Sequence, residues 1–366
     1  MKRKMQSQLG LTLVELLVAM AIGAILILGV SETFVTHKMS HSLQLGIGHV
    51  QEGGRMAVAM MSRDVRMADY WGCAKNGINL SSSIGFNAND DKYDFLTGGA
   101  GGVSGKDVVG SMTIDGLPVV DGSSVVTLRG AQPSSCTVTT TGTDLKLATI
   151  GISGCEVKKN TVVAISNCLA GDIFVNSAAD NASVLGYKST GTTPPNNAGS
   201  QVIHCGVGND SCLSQPYEVG AQILFPYSVS YFVSVGASGE PGLYKYDALK
   251  NNSSELIDGV ESMKVSYAID LDYDSTKSIV DLEAPSRSVH TYMTAKQINQ
   301  KPNIKWEQVI GLKVDLLLRS DDGVRSESKT VTFNGVNYGG ADRRMREIFS
   351  SVMNIRNRSV PSSEGL

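Results

Sequence analysis

MKRKMQSQLGLTLVELLVAMAIGAILILGV, residues 1–30, decides how the rest of the chain is read. Lys2, Arg3 and Lys4 precede an apolar run, and such cations stay on the cytoplasmic side of a membrane. From Leu11 to Val30 only Thr12 and Glu15 are polar. A run of this length just spans a hydrocarbon core about 30 Å thick. Glu15 is the anomaly, because a carboxylate inside a membrane helix costs on the order of 2.5–3.5 kcal/mol. The helix dipole eases a negative charge near the N-terminal end, and a nearby cation eases it further. A cut just before Leu11 creates such a cation, an ammonium four residues from Glu15. A secretory signal peptide would be cut after the run and does not normally carry Glu within it. The only A-x-A, Ala19 to Ala21, lies mid-run. An ordinary anchor accounts for the run and the charges, but not for Glu15 or the Gly10 boundary.

Beyond Val30 the pattern becomes amphipathic. Val35, Met39, Leu43, Ile47, Val50, Ala57, Met61, Val65 and Ala68 recur at helical spacing, with one gap at Gly53-Gly54. The pattern predicts one helix from about residue 11 to 69, roughly 88 Å long. Its first half belongs in a membrane and its second half against a globular head. Gly23, Gly29, Gly46, Gly48, Gly53 and Gly54 are costly in a helix. They either let it bend or mark close packing. His37 and His41 are four residues apart, but the H-E-x-x-H metal pattern is absent, so they and His49 read as exposed helix histidines.

The 366 residues carry 42% hydrophobic and 18% charged side chains, which excludes disorder and a polytopic membrane protein. The net charge of -3 speaks against nucleic acid as a partner. Abundant Gly (39) and scarce Trp (2) suit a β-rich body with many turns. Strands are expected at 107–114, 124–128, 161–165, 172–175, 222–235, 260–269 and 309–319. Asp321-Asp322-Gly323 reads as a hairpin turn into a strand at 329–333. Residues 189–200 (STGTTPPNNAGS) read as a loop, and the final SVPSSEGL as frayed. The domain plan is therefore a leader at 1–10, a long helix at 11–70 whose part 11–30 is membrane or fibre core, and a β-rich head at 71–366. The head has a cysteine-containing middle, about 74–220.

The six cysteines are Cys73, Cys136, Cys155, Cys168, Cys205 and Cys212. None forms CxxC, so a zinc-finger-like site is not expected. Their even number beyond an export-type segment favours disulfides, which persist in an oxidising compartment. Of the 15 connectivities that six cysteines allow, Cys205–Cys212 closes the easiest local loop and Cys136–Cys155 the next; buried free thiols are the alternative.

Chemistry-bearing motifs are few. Asp270, Asp272 and Asp274 form D-x-D-x-D, with Asp281 twelfth from Asp270. Alternating carboxylates can surround Ca²⁺, yet Ser275 stands where an EF-hand needs Gly, and an acidic solvated turn is the plainer reading. Apart from that candidate calcium, no cofactor is expected. GGAGGVSGK (98–106) departs from a phosphate loop at Ala100 and Asp107. His204 beside Cys205 is no catalytic pair if Cys205 is bridged. Arg343, Arg344, Arg346, Arg356 and Arg358 read as a solvated basic face. No reaction is named by these residues, and a noncatalytic protein is expected.

Gly10 followed by Leu11-Thr12-Leu13-Val14-Glu15 resembles the type IV prepilin signature. The resemblance implies cleavage after Gly10 by a prepilin peptidase, N-methylation of Leu11, and subunit docking guided by Glu15. The family usually has Phe where this chain has Leu11. Farther on, RMAVAMMSRDVRMADYWGC (55–73), the stretch 230–270, WEQVIGLKVDLLLRS (306–320) and RRMREIFSSVMNIRNR (343–358) resemble PilW-type minor pilins. The implied fold is α+β and type IV pilin-like, a long N-terminal helix packed on a β-rich head. The implied role is assembly of a type IV pilus, in a tip or priming complex that supports motility, adhesion or DNA uptake. The implied partners are other minor pilins, the major pilin, the inner-membrane assembly platform and a PilY1-like tip adhesin. Such a protein waits in the inner membrane with its head in the periplasm and ends at the pilus tip or cell surface. PilW-like proteins also resemble the J-type pseudopilin of type II secretion, the rival reading; a tip adhesin or DNA-binding pilin is another.

Overall fold

The computed structural model describes residues 12–72, 80–84, 102–140, 149–167, 170–188, 191–193, 196, 213–236, 239–272 and 288–359. It opens on one unbroken helix, α1 (Leu13–Met67). Thr12 caps it: the Glu15 N–H donates to Thr12 Oγ1, and the Thr12 N–H donates back to the Glu15 carboxylate, a reciprocal capping box. At the far end the Ala68 N–H donates to the Val65 carbonyl, and Asp69 turns the chain in the left-handed region (φ 63°). Only the second half of α1 has a buried face, formed by Gly46, Val50, Gly54, Ala57, Met61 and Val65. Val35 and Met39, expected in the same stripe, are exposed at 54% and 39% because the head does not reach them.

The head is made of short strands: β1 (Leu80–Ser82), β2 (Val103–Asp107), β3 (Thr113–Ile114), β4 (Leu117–Pro118), β5 (Ser124–Val138), β6 (Thr149–Ser153), β7 (Val162–Ser166), β8 (Gly171–Val175) and β9 (Val184–Gly186). They continue as β10 (Gln222–Val235), β11 (Pro241–Asp247), β12 (Asn252–Asp258), β13 (Val260–Ile269) and β14 (Thr291–Met293). After the short helix α2 (Ala295–Gln300) come β15 (Val309–Gly323), β16 (Val331–Phe333), β17 (Val336–Tyr338), β18 (Arg344–Asn354) and a last turn, α3 (Arg356–Ser359).

Ten strands form one sheet, in the order β1-β8-β7-β10-β5-β6-β9, with β2 beside β5 and the β11–β12 pair beside β10. A second sheet runs β14-β13-β15-β18, antiparallel throughout. The buried stripe of α1 joins Val260, Met263 and Val265 of β13, Val314, Leu316 and Leu318 of β15 and Met353 of β18 in one core. A separate core under the large sheet contains Cys136, Ile150, Ile165, Phe174 and Tyr217. Burial of apolar surface on this scale supplies most of the favourable folding energy.

The expected strands at 222–235 and 260–269 match β10 and β13 end to end. The strand expected at 107–114 does not form. β2 stops at Asp107, because the Val108 and Gly110 N–H groups turn away to Ser123 O and the Asp121 carboxylate. Nor does Asp321-Asp322-Gly323 make a hairpin. β15 runs through Gly323 with a register shift after Arg319 and pairs with β18, while β16 pairs with β17. The tight turns lie elsewhere, at Asp115-Gly116 and Asn334-Gly335. Both residues of each pair have positive φ, and two-residue Asp-Gly and Asn-Gly hairpins require that.

Candidate functional site

The first turns of α1 are the candidate assembly site. Residues 13–35 leave the head as bare helix; Leu13 and Leu28 are 73% and 70% exposed. This is the one helix among the described residues long and apolar enough to cross a membrane. Glu15 sits at its tip. One carboxylate oxygen, Oε2, accepts both the Thr12 N–H (3.0 Å) and the Thr12 hydroxyl (3.1 Å). The other oxygen has no partner among the described residues and faces solvent. The cap thus holds the charge at the positive end of the helix dipole and leaves half of it open to a second cation. Gly10 and Leu11, the expected cleavage and methylation positions, lie outside the described residues.

Where α1 meets the head, glycines let the strands come close. A methyl group on Gly54 would stand 2.6 Å from the Phe349 ring, and one on Gly53 would be 3.3 Å from Ile257 and Leu318. Polar ties surround this contact. Asp64 accepts from the Tyr231 hydroxyl (2.7 Å) and from Lys245. Burial first, then the Asp64 carboxylate, push the Tyr231 phenol well above its ordinary pKa, so it remains a donor. Below the helix end, Asp69 is ion-paired with Arg358, and both side chains are buried. Arg358 also donates to the Trp306 and Val309 carbonyls at 2.6 and 3.0 Å, and Asn357 donates to the Ala68 carbonyl at 2.9 Å.

The C-terminal arginines therefore correct the expectation of a solvated face. Arg343 and Arg356 are exposed, but Arg346 and Arg358 are buried and Arg344 is half-buried. Arg346 forks onto Glu261 (2.7 and 2.9 Å) and onto Asp342, while Arg344 and Arg319 share Glu240. Apart from Arg346–Asp342, four residues apart, these pairs join partners up to 104 residues apart, which no local pattern exposes. Their requirement is geometric: planar guanidinium forks fit carboxylates in two parallel bonds.

Of the cysteines, Cys136 and Cys155 are bridged, with Cα atoms 5.1 Å apart, tying the end of β5 to the segment after β6. Cys73, Cys168, Cys205 and Cys212 lie outside the described residues, and so does the loop proposed at Cys205–Cys212. In the acidic run, Asp270 and Asp272 come together, but Asp274 and Asp281 lie outside the described residues. The structure adds a group the spacing did not reveal: His290, brought in by the pairing of β13 with β14. Within 98–106, residues 103–106 are part of β2 rather than a phosphate-binding turn.

A bare apolar helix tipped by a capped glutamate, on a β-rich head, has the layout of a type IV pilin-like α+β protein. Two family models match the chain. Residues 5–31 match the prokaryotic N-terminal methylation motif, and residues 230–357 match type IV pilus-assembly protein W. Together they support a type IV pilus minor pilin of the PilW family, taking part in type IV pilus assembly and so interacting with other pilus components. The second match runs from inside β10 through β18 and takes in the whole four-stranded sheet on which α1 packs. No curated protein and no solved structure matches the chain.

Proposed function

We propose that this is a noncatalytic minor pilin that primes or caps the fibre. The prepilin is held in the inner membrane by residues 11–30, with its head in the periplasm. It is cut after Gly10 and methylated at Leu11. Glu15 then meets an N-terminal ammonium, its own or a neighbour's. The bare helix exchanges lipid for a shared apolar core, and packing between helices holds the fibre. The head remains outside with other minor pilins and, at the tip, an adhesin of the PilY1-like kind. The observation that carries this reading is the methylation motif at 5–31 on a helix whose residues 13–35 stand clear of the head. Motility, adhesion and DNA uptake are the outputs such a fibre would serve.

The test is a clean deletion in which sheared surface pili and secreted exoproteins are counted side by side. Lost pili with intact secretion, restored by the wild type but not by Gly10→Val, supports the proposal. Normal pili with failed secretion assigns the protein to a type II secretion pseudopilus instead. Normal behaviour in both leaves a dispensable binding role.

A further inference from the structure

We propose that β18 is an open sheet edge that takes up an extended β-strand of a different pilin-like subunit; this rests on the assembly role proposed above and names the surface through which it acts. β18 is 11 residues long and pairs on one side only, with β15. The Ile355 N–H donates to the Ile310 carbonyl (3.0 Å), and the register holds without a shift from Gly311–Asn354 to Arg319–Arg346. In an antiparallel ladder the bonded pairs then fall on every second residue, at Met353, Ser351, Phe349 and Glu347. The N–H and C=O groups of Ile348, Ser350, Val352 and Asn354 point the other way, and among the described residues nothing bonds them. The side chains of these residues are uncharged and exposed, Ile348 at 43% and Val352 at 57%.

Natural sheets shorten, bulge or charge their edges to keep other strands away. Among the described residues the other edges of this molecule follow that rule. β1, β9, β14 and the strands of the two small hairpins have at most three residues each, and β2 has five and ends in Lys106-Asp107. β12 has a register shift between Glu255 and Ile257 and exposes Glu255 and Asp258. β18 has no proline, no bulge between Arg346 and Asn354, and no charge at its exposed outward positions, so it stays competent to pair. A second copy does not fit. Antiparallel pairing of two β18 strands needs a two-fold axis normal to the sheet. α1 lies across that sheet, with Gly53 over Leu318 and Gly54 over Phe349. The axis would send the two bare helices in opposite directions, away from any common membrane. No other edge of this chain among the described residues has the length and apolar alternation to fill the place. The occupant is therefore a non-identical subunit whose helix runs alongside α1. Its head offers an extended segment with apolar residues at alternate positions, opposite Ile348 and Val352. In such strand addition the backbone bonds supply affinity and the alternate side chains specificity.

The test compares residue-resolved amide hydrogen exchange in the full-length protein in detergent, alone and co-purified with the other pilin subunits. Exchange at Ile348, Ser350, Val352 and Asn354 should slow about tenfold or more in the complex, while Glu347, Phe349, Ser351 and Met353, already bonded to β15, hardly change. Two variants add a second readout. Val352→Pro deletes an outward N–H and no bond of the β15 ladder. Ile348→Lys keeps its N–H and places a charge on the edge. Both should appear in sheared fibres about tenfold less than the wild type, with leader removal and unfolding temperature unchanged. Unchanged exchange at the alternate amides in a complex that has formed overturns the strand pairing and leaves the assembly role standing. So does wild-type incorporation of Val352→Pro, or self-association of the purified chain through this edge. Recovery of no other subunit overturns both.

Discussion

Gly54 and Gly48 lie on the same helix and make opposite demands on a methyl group. Gly54 faces the Phe349 ring at 2.6 Å from an added Cβ, while Gly48 has nothing within 4 Å. Gly48→Ala should therefore raise stability by up to about 1 kcal/mol, the helix propensity gain. Gly54→Ala should lower it by about 1–3 kcal/mol, because the ring must leave its seat. Thermal unfolding of the two variants side by side measures the difference; equal shifts would mean the ring yields freely. The sequence left open whether the helix glycines mark bending or close packing. Along α1 the helix is unbroken, and Gly46, Gly53 and Gly54 all sit against head side chains. Glu15 was legible from sequence alone, since a lone carboxylate in an apolar run is too costly to persist without a task. Its pairing with Thr12 was not, because a cap depends on where the helix begins. Glu15→Leu should leave removal of the leader largely intact but reduce incorporation into sheared fibres, read by immunoblot of both fractions. Wild-type incorporation would sink the docking role.

At the scale of elements, the clasp between α3 and the end of α1 is the point most sensitive to substitution. Breaking a buried ion pair by removing one partner costs about 3–5 kcal/mol. Arg358→Met should show a loss of that order in urea unfolding. Arg358→Lys should recover little of it, because an ammonium cannot serve Asp69 and the Trp306 and Val309 carbonyls in one plane. The second ion-pair group links the strands to each other and depends on pH. Hydrogen bonds from Arg344 and Arg319 lower the Glu240 pKa to about 2, and those from Arg346 lower the Asp342 pKa to about 2. Both folded values lie below the unfolded ones, so the stabilisation is complete above the ordinary carboxylate range and is lost as pH falls through about 2. The urea midpoint should therefore decline from about pH 5 toward about pH 2, and Glu240→Gln should flatten that decline; an unchanged slope would assign the acid sensitivity to other carboxylates. Period-two alternation made β15 visible in the sequence, as Ile310, Leu312, Val314, Leu316 and Leu318. Its partner β18 carries arginines among its apolar residues. The glutamates that Arg346 and Arg344 engage, Glu261 and Glu240, stand 85 and 104 positions away, so a sequence window shows the i,i+4 pair of Arg346 with Asp342 but neither of these two.

For the whole molecule, the division of labour along α1 gives a direct expectation. Its first buried residue is Gly46, so a chain lacking residues 1–35 should dissolve without detergent and unfold at the same temperature as the full chain. A chain lacking 1–69 should aggregate, since Val265, Leu316 and Met353 lose the stripe that covers them. Sedimentation and circular dichroism distinguish the two. The split into long helix and β-rich head could be read from hydropathy and turn residues. The order of the ten-stranded sheet could not, because it rests on pairings such as β5 with β10, in which Tyr227 meets Gly130. Such contacts are fixed by cores that form only once distant strands have met, and the cysteine-containing middle offers no strong alternation to announce them.

The Asp69–Arg358 clasp spans 289 positions of sequence. A ribosome makes α1 well before β18 and Arg358. The anchor can thus be threaded into the bilayer long before its lower half has a finished surface to rest on. Until then the Val50–Val65 stripe is open to chaperones and proteases, and a message cut short before codon 344 yields an anchored helix that cannot be latched. The clasp therefore acts late: a chain translated through Arg358 gains the last polar tie between its helix end and the head.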